Sequence, residues 1–134
     1  CSRFRMRSSM NWLKEKLRHK FGYALSGVIS GIRSDSSIAL QCVLGLITVI
    51  VCLFLPLSAL EWCVILIMIF LVIAMEFVNS AIEETVNYIS TKRHPAAKRI
   101  KDLAAGAVLL ISICALCVAI IIIGGKLYWI IFGK

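Results

Sequence analysis

Three long apolar stretches constrain this chain more than any other feature of its sequence. They run from Ile38 to Leu60, from Trp62 to Phe77 and from Leu103 to Ile123. We expect the last helix to run from about Pro95 to Ile123 and to end at Gly124 and Gly125. A helix needs about 20 mainly apolar residues to cross the hydrocarbon layer of a bilayer, so three transmembrane helices fit. Within the 134 residues no length is left for a separate soluble catalytic domain. We therefore predict an all-α integral membrane protein whose chemistry is carried by its membrane helices and their short connections.

The formal net charge of +8 is placed in segments rather than over one soluble face. Eight of the fifteen Lys and Arg residues precede Ile38, five lie between Lys92 and Lys101, and two follow the third apolar stretch. Positively charged connections stay in the cytoplasm, which places the N-terminus and the second connection there. The segmental charge indicates membrane lipids as partners and argues against nucleic acid.

The segment before the first span has the pattern of an amphipathic helix. From Met10 to about Ile32, apolar residues recur at three- and four-residue steps, with Lys and Arg on the other side. This pattern predicts a helix lying in the cytoplasmic membrane surface. We predict that residues 1–9 are a tail, disordered or foreign to the domain, and that residues 10–134 form one membrane-embedded domain. Asp35 and its serine neighbours predict a helix N-cap at the start of the first span.

A polar stripe follows the second apolar stretch on the same helix. At 100° per residue, Glu76, Asn79, Glu83 and Asn87 fall at about 0°, 300°, 340° and 20°, so they share one narrow face. An ionisable residue at membrane depth is costly and usually functional. The alternative is that these side chains only form hydrogen bonds between helices of an oligomer.

The heights of the two carboxylates suit phosphoryl transfer. At about 1.5 Å per residue, Glu76 lies roughly 10 Å closer to the membrane centre than Glu83. Phosphoryl transfer needs a cation beside the phosphates and a group that positions the acceptor hydroxyl and takes its proton. Mg²⁺ prefers oxygen ligands and needs only one or two carboxylates besides the nucleotide phosphates. Glu83 and Asp35 lie at a similar cytoplasmic depth and are candidates for that role.

The second connection supplies donors that suit phosphate. It contains His94, Lys98, Arg99 and Lys101, with Asp102 as the acid among them. As a charge run alone, the segment is equally explained by membrane topology and attraction to anionic lipid. A Gly-rich phosphate loop and a kinase catalytic-loop motif are both missing from the sequence, which excludes a conventional kinase fold.

Two motifs together resemble the prokaryotic membrane diacylglycerol kinase and undecaprenol kinase family. The first reads Glu76-Phe-Val-Asn79-Ser-Ala-Ile-Glu83, and the second reads His94-Pro-Ala-Ala-Lys98-Arg-Ile-Lys101-Asp102-Leu-Ala-Ala-Gly106-Ala-Val. The resemblance is dense over residues 76–108 and extends more weakly back to Gly22 and Tyr23. It implies three transmembrane helices with an N-terminal amphipathic surface helix, assembled as a homotrimer in the bacterial inner membrane.

The resemblance also implies roles for individual residues in ATP-dependent phosphorylation of a lipid alcohol. Glu76 matches the general base, Asp35 and Glu83 match the acids that hold Mg²⁺, and Asn79 matches a polar position beside them. The positions that match nucleotide contacts are Lys16, Tyr23, His94, Lys101 and Asp102. The wording of the second motif is more similar to the undecaprenol kinases, so undecaprenol is the expected acceptor and diacylglycerol the alternative.

The sequence departs from the family at two positions that bear on activity. Asp35 stands where the family usually has Glu, and Asn87 stands where it usually has Asp. A catalytically weak or inactive member of the family is therefore one alternative. A small ion or drug transporter is another, because carboxylates inside membranes often carry protons or cations.

Overall fold

The computed structural model describes residues 2–90 and 92–133, and the described residues form helices joined by short connections. The first helix, α1, runs over Ser2–Ser34. It is followed by α2 over Ser36–Leu53, α3 over Ala59–Ile89 and α4 over Pro95–Ala119. A π-helical turn over Ile120–Gly124 joins α4 to α5, which runs over Gly125–Phe132.

Three helices are long and apolar enough to cross a membrane, as predicted. They are Ser36–Leu53, Ala59–Ile89 and the continuous rod Pro95–Phe132. Many of their large apolar side chains face outward; Phe70 and Leu110, for example, are 68% and 72% exposed. Outward-facing apolar surface of this extent suits hydrocarbon rather than water. The chain is a multi-pass membrane protein.

Helix α1 forms its own compact unit, separate from the unit that begins at Asp35. The segment from Met10 to Ile32, expected to form an amphipathic helix, is helical. Its amphipathic role and its placement at the membrane surface stay predictions. Residues 2–9, expected as a tail, are helical and form the first turns of α1. Cys1 lies outside the described residues, as do Thr91 and Lys134.

Each membrane helix begins after a residue whose side chain accepts a hydrogen bond from one free amide of the first turn. Asp35 caps α2 by accepting a hydrogen bond from the Ser37 amide at 2.9 Å, as predicted. Helix α3 begins with a capping box, in which the Ser58 hydroxyl accepts from the Glu61 amide and the Glu61 carboxylate accepts from the Ser58 amide. Such reciprocal capping fixes where a helix starts.

The last helix is longer than predicted. Gly124 and Gly125 were expected to end it near Ile123, but both have right-handed helical backbone angles, with φ of −61° and −62°. The helix continues because the residues after the glycines, Leu127 to Phe132, are mainly apolar and the side chain of Lys126 reaches Glu61 on α3 at 3.1 Å. Glycine costs a helix about 1 kcal/mol without forbidding it, and both glycines lie within the continuous helix Pro95–Phe132.

Helices α3 and α4 form an antiparallel hairpin that is held at both ends, and α2 packs against α3. At the end where α3 begins, Lys126 pairs with Glu61, and at the end where α4 begins, Lys101 donates a hydrogen bond to the Asn87 side chain at 2.6 Å. We call these two contacts the outer and the inner clasp. Together they fix the register in which the polar end of α3 faces the start of α4.

Candidate active site

The buried end of the predicted polar stripe lies where α3 meets the start of α2. Glu76 is 7% exposed and is the one charged side chain buried among the described residues. A buried carboxyl is expensive unless its surroundings or its function compensate for it. The side chain of Gln41, on the first turns of α2, lies against the Glu76 carboxyl, and the charges of Asp35 and Glu83 act on it.

Asp35 is joined to α3 by a side-chain hydrogen bond that the sequence did not predict. The Ser80 hydroxyl donates to one oxygen of the Asp35 carboxylate, while the other oxygen accepts from the Ser37 amide. The Ser80 hydrogen bond is the main cause that holds the pKa of Asp35 below its ordinary value, helped by backbone amides and opposed by partial desolvation. Asp35 is therefore held ionised at the junction of the two helices.

Asn79 completes this acidic cluster, which we define as Asp35, Glu76, Asn79, Ser80 and Glu83. The Asn79 side-chain oxygen is buried and has no hydrogen-bond partner in the structure. A buried polar atom of this kind needs a specific explanation, and a position beside a ligand or ion is one. Glu83, four residues further along α3, is exposed. The stripe thus grades from a buried carboxyl to a solvent-facing one.

A cavity of about 670 Å³ lies at the inner end of the hairpin, which we call the basic cavity. Its volume is in the range of small-molecule sites. Its charged and polar lining comes from the end of α3, the connection and the first two turns of α4: Asn87, Ser90, Lys92, Arg93, His94, Lys98, Lys101 and Asp102. The cavity therefore offers cations and hydrogen-bond donors for an anionic ligand.

Three of the predicted nucleotide-contacting residues line this cavity, and each already has a partner. His94 caps α4, because its Nδ1 accepts from the Ala96 amide at 3.1 Å, which leaves the proton of the neutral imidazole on Nε2. Asp102 pairs with Lys98 at 2.9 Å on an exposed surface. Lys101 is half-buried and uses one of its three N–H groups on Asn87.

The other two predicted nucleotide contacts, Lys16 and Tyr23, lie on α1. Tyr23 is exposed, and the Lys16 ammonium lies over the Trp12 ring at 4.7 Å from its centre. Helix α1 is a compact unit of its own, and the cluster and the cavity belong to the other unit. Their role in nucleotide binding stays a prediction.

Sequence reasoning missed Ser80 and Gln41 as members of the site and missed the partnership of Asn87 with Lys101. Ser80 had a usable signal, since it stands four residues after Glu76 and so lies on nearly the same helix face. The roles of Gln41 and Asn87 depend on which helices pack together, and a single sequence does not carry that information.

Comparison with known proteins identifies relatives with named activities. The chain is 41% identical over 80 residues to the undecaprenol kinase of Bacillus subtilis, a match that covers 59% of this chain and 65% of that protein. It therefore spans slightly less than two thirds of that relative. It is 32% identical over 107 residues to the diacylglycerol kinase of Haemophilus influenzae, covering 80% of this chain and 87% of that protein. The diacylglycerol kinase of Escherichia coli K12 is 29% identical over 94 residues, which is 70% of this chain.

The family comparison covers both the acidic cluster and the basic cavity. The sequence model described as prokaryotic diacylglycerol kinase matches residues 22–123, from the last third of α1 into the π-helical turn. The resemblance inferred from the two motifs is thereby confirmed, and the chain belongs to the prokaryotic diacylglycerol kinase family.

Proposed function

We propose that this protein is a lipid kinase that transfers the γ-phosphoryl group of ATP to the hydroxyl of a membrane lipid alcohol, with undecaprenol as the leading acceptor. The lipid-kinase class follows from family membership and from the names of the relatives. The same comparisons favour it over a small transporter. The observation that best supports the mechanism is the buried Glu76 carboxyl. It lies on α3, the helix whose end lines the basic cavity.

Glu76 is the proposed general base. It lies at the depth where a lipid hydroxyl enters from the bilayer, and the side chain of Gln41 lies against its carboxyl. A carboxylate with few water contacts is well placed to orient that hydroxyl and to accept its proton as the oxygen attacks phosphorus. The Ser80 hydroxyl donates to the Asp35 carboxylate and so joins α2 to α3 beside this carboxyl.

The basic cavity is the proposed site of the nucleotide phosphates. Lys101 donates one of its three N–H groups to Asn87 and keeps two for a ligand. The Asn87 amide is neutral, so it does not compensate the positive charge of Lys101. His94 keeps its Nε2 hydrogen as a further donor. From Asn87 to Glu76 the helix rises by about 16 Å, with Glu83 between them. The γ-phosphate is proposed to lie near Glu83 and the rest of the nucleotide in the cavity.

Mg²⁺ is the proposed cofactor, held by Asp35 and Glu83 together with the phosphates of ATP. No three His, Cys, Asp or Glu residues cluster closely enough to hold a metal among residues 2–90 and 92–133. A magnesium ion that enters with the nucleotide needs only one or two carboxylates, and the donors near Glu76 are all oxygen atoms, including the unpartnered Asn79 oxygen. The ion would neutralise phosphate charge during transfer.

Orientation and assembly are part of the proposal. The Lys and Arg distribution supports a cytoplasmic N-terminus, which puts the basic cavity on the ATP side of the bacterial membrane. The exposed apolar faces of the membrane helices leave room for a homotrimer. The family resemblance makes Lys16 and Tyr23 on α1 further proposed nucleotide contacts.

The acceptor preference rests on the higher identity to the undecaprenol kinase of Bacillus subtilis, 41%, than to the diacylglycerol kinases, 32% or less among those compared above. Diacylglycerol is the second candidate because the match to the Haemophilus influenzae enzyme covers more of this chain. One preparation assayed with Mg-ATP and either lipid decides between them. Faster phosphorylation of diacylglycerol than of undecaprenol would reverse the preference.

The mechanism is tested by the Glu76→Gln variant, which keeps the size of the side chain and removes its basicity. We expect a loss of roughly 10²–10⁴ in kcat, the usual contribution of a general base. Glu84→Gln is the matched control, because Glu84 is an exposed acid on the same helix outside the cluster. Comparable turnover in Glu76→Gln and the unaltered chain would rule out the base assignment. No phosphorylation of any lipid alcohol by the unaltered chain would indicate an inactive family member.

The metal assignment is tested separately. Asp35→Asn and Glu83→Gln keep the side-chain sizes and remove the charges. We expect the Mg²⁺ concentration needed for half-maximal activity to rise in each, because two carboxylates hold the ion better than one. An unchanged metal dependence in both variants would refute the assignment and leave the role of Glu76 intact.

A further inference from the structure

A further cavity surrounds the outer clasp, at the end of the hairpin where α3 begins. Its volume is about 390 Å³, and its lining includes Pro56, Glu61, Gly125, Lys126 and Trp129. We call it the outer cavity. Small-molecule sites measure about 300–1,000 Å³, so this cavity suits a compact polar group. The basic cavity lies at the other end of α3, and the proposed phosphoryl transfer makes no use of the outer one.

The outer cavity lies at the depth of lipid headgroups. No charged residue lies between Asp102 and Lys126, and this stretch is long enough to cross the hydrocarbon layer. Lys126 therefore lies at the membrane surface opposite that of Asp102. Tyr128, Trp129 and Phe132 follow it and are exposed, and Trp and Tyr are enriched at the boundary between membrane and water. A molecule that enters the cavity comes from among the headgroups.

The outer clasp presents one charge of each sign to this cavity. Lys126 and Glu61 are in contact at 3.1 Å, and 31% and 26% of their side chains are exposed. Within residues 2–90 and 92–133, both polar contacts of the Glu61 carboxylate use Oε1, which accepts from Lys126 and from the Ser58 amide. Oε2 and two of the three N–H groups of Lys126 remain for a ligand. The clasp therefore offers an acceptor and a donor side by side.

Part of the wall is formed by the π-helical turn and by the glycine that follows it. Ile121 and Ile122 of that turn line the cavity together with Gly125. Single π-helical turns inside α-helices are rare and are frequent at functional sites. A Cβ atom at Gly125 would meet no other atom within 4 Å. A larger side chain at this position therefore has room to enter the cavity.

We propose that the outer cavity binds the headgroup of a zwitterionic phospholipid with a primary amine, as in phosphatidylethanolamine. The lipid phosphate accepts hydrogen bonds from Lys126. The ammonium group donates to Oε2 of Glu61 and lies against the Trp129 ring, whose face attracts cations. An ion pair favours a ligand with both charges, because each charge of the ligand then meets its opposite. The lipid is a structural ligand that joins the start of α3 to the last helix.

The test fills the outer cavity and measures lipid binding directly. Gly125→Leu places a side chain in the cavity. Gly124→Leu is the matched control, because Gly124 is the neighbouring helical glycine, has the same open space and lies outside the lining. Lys126→Gln removes the charge that holds the phosphate. Gly125→Ala is a milder filling variant for use where the leucine variant unfolds.

Each protein is solubilised in detergent without ATP and titrated with phosphatidylethanolamine, with phosphatidylglycerol and with soluble glycerophosphoethanolamine. Native mass spectrometry counts the bound molecules, and thermal unfolding measures the stabilisation that they cause. Phosphatidylglycerol has the phosphate and lacks the amine, and glycerophosphoethanolamine has both charges and lacks the acyl chains. Because no step uses ATP, a failure of the proposed kinase function leaves this measurement unaffected.

We expect one phosphatidylethanolamine per chain to bind to the unaltered protein and to Gly124→Leu, and to raise the unfolding temperature of both. Gly125→Leu loses the binding and the stabilisation. Lys126→Gln binds the lipid roughly tenfold more weakly, because it lacks a charge-assisted hydrogen bond to the phosphate. Phosphatidylglycerol binds the unaltered protein more weakly than phosphatidylethanolamine does.

Three results would overturn the proposal. Equal binding of phosphatidylglycerol and phosphatidylethanolamine would show that Glu61 and Trp129 do not select an amine. Equal lipid binding by Gly125→Leu and Gly124→Leu would place the bound lipid elsewhere on the protein. Binding of glycerophosphoethanolamine as tight as that of the whole lipid would identify a water-soluble zwitterion as the ligand.

Discussion

Removal of the inner clasp by Asn87→Ala should weaken ATP binding more than it weakens the fold. Lys101 donates to Asn87 at 2.6 Å, and this hydrogen bond points the ammonium group into the basic cavity. Hydrogen bonds to charged groups contribute about 1.5–3 kcal/mol when desolvated. Asn87 is exposed and Lys101 half-buried, so we expect this hydrogen bond to contribute about 1 kcal/mol to ATP binding. Its loss corresponds to a rise of roughly fivefold in the KM for ATP.

The outer clasp provides the matched control for this measurement. Glu61→Gln removes the ion pair with Lys126 at the other end of the same hairpin but keeps a capping residue, since Gln also completes a capping box. It should lower the unfolding temperature slightly and leave the KM for ATP unchanged. If Asn87→Ala lowers thermal stability as Glu61→Gln does and leaves the KM for ATP unchanged, the inner clasp serves only hairpin packing and Lys101 is not a nucleotide ligand.

Three further predictions concern helix ends and the acidic cluster. Ser80→Ala should raise the pKa of Asp35 and destabilise the fold by about 1 kcal/mol above pH ~5. A lowered carboxyl pKa stabilises the folded state above the ordinary value near 3.9, so the difference between the two proteins should vanish as pH falls through the folded pKa. Chemical unfolding in detergent across that pH range measures this difference. His94→Ala should cost about 1 kcal/mol through loss of the α4 cap and His94→Asp should restore it, which a comparison of unfolding midpoints would check. Gly124→Ala should stabilise the protein by up to about 1 kcal/mol, since the residue is helical and an added methyl group meets no atom within 4 Å; a lowered melting temperature would contradict this account of the last helix.

The sequence was sufficient to predict the membrane spans and the Asp35 cap, because both follow from local signals. Apolar length identifies a span, and Asp35 directly precedes the first apolar helix. The end of the last helix was predicted wrongly for the same reason. Two adjacent glycines are a strong local stop signal, and the contact between Lys126 and Glu61 that overrides them joins residues far apart in the chain.

The candidate site was predictable where it follows one helix and unpredictable where it joins two. The common face of Glu76 and Glu83 follows from helix periodicity, and the structure keeps it. The difference in burial between these two carboxyls, the hydrogen bond from Ser80 to Asp35 and the inner clasp all depend on the packing of α2 and α4 against α3. The family resemblance suggests roles for such residues, but only the structure shows which residues contact them.

The spacing of the two clasps makes the hairpin sensitive to the thickness of its membrane. Glu61 and Asn87 are 26 residues apart on α3, and Lys101 and Lys126 are 25 residues apart on the opposite rod, so the polar contacts are separated by about 38 Å. The hydrocarbon layer is about 30 Å thick, which leaves each clasp a few ångströms outside it, among the headgroups. A thicker bilayer would draw one of these contacts into hydrocarbon or force the rods to straighten, and a thinner one would increase their tilt. The depth of the Glu76 carboxyl in the bilayer is thereby tied to the composition of the surrounding membrane.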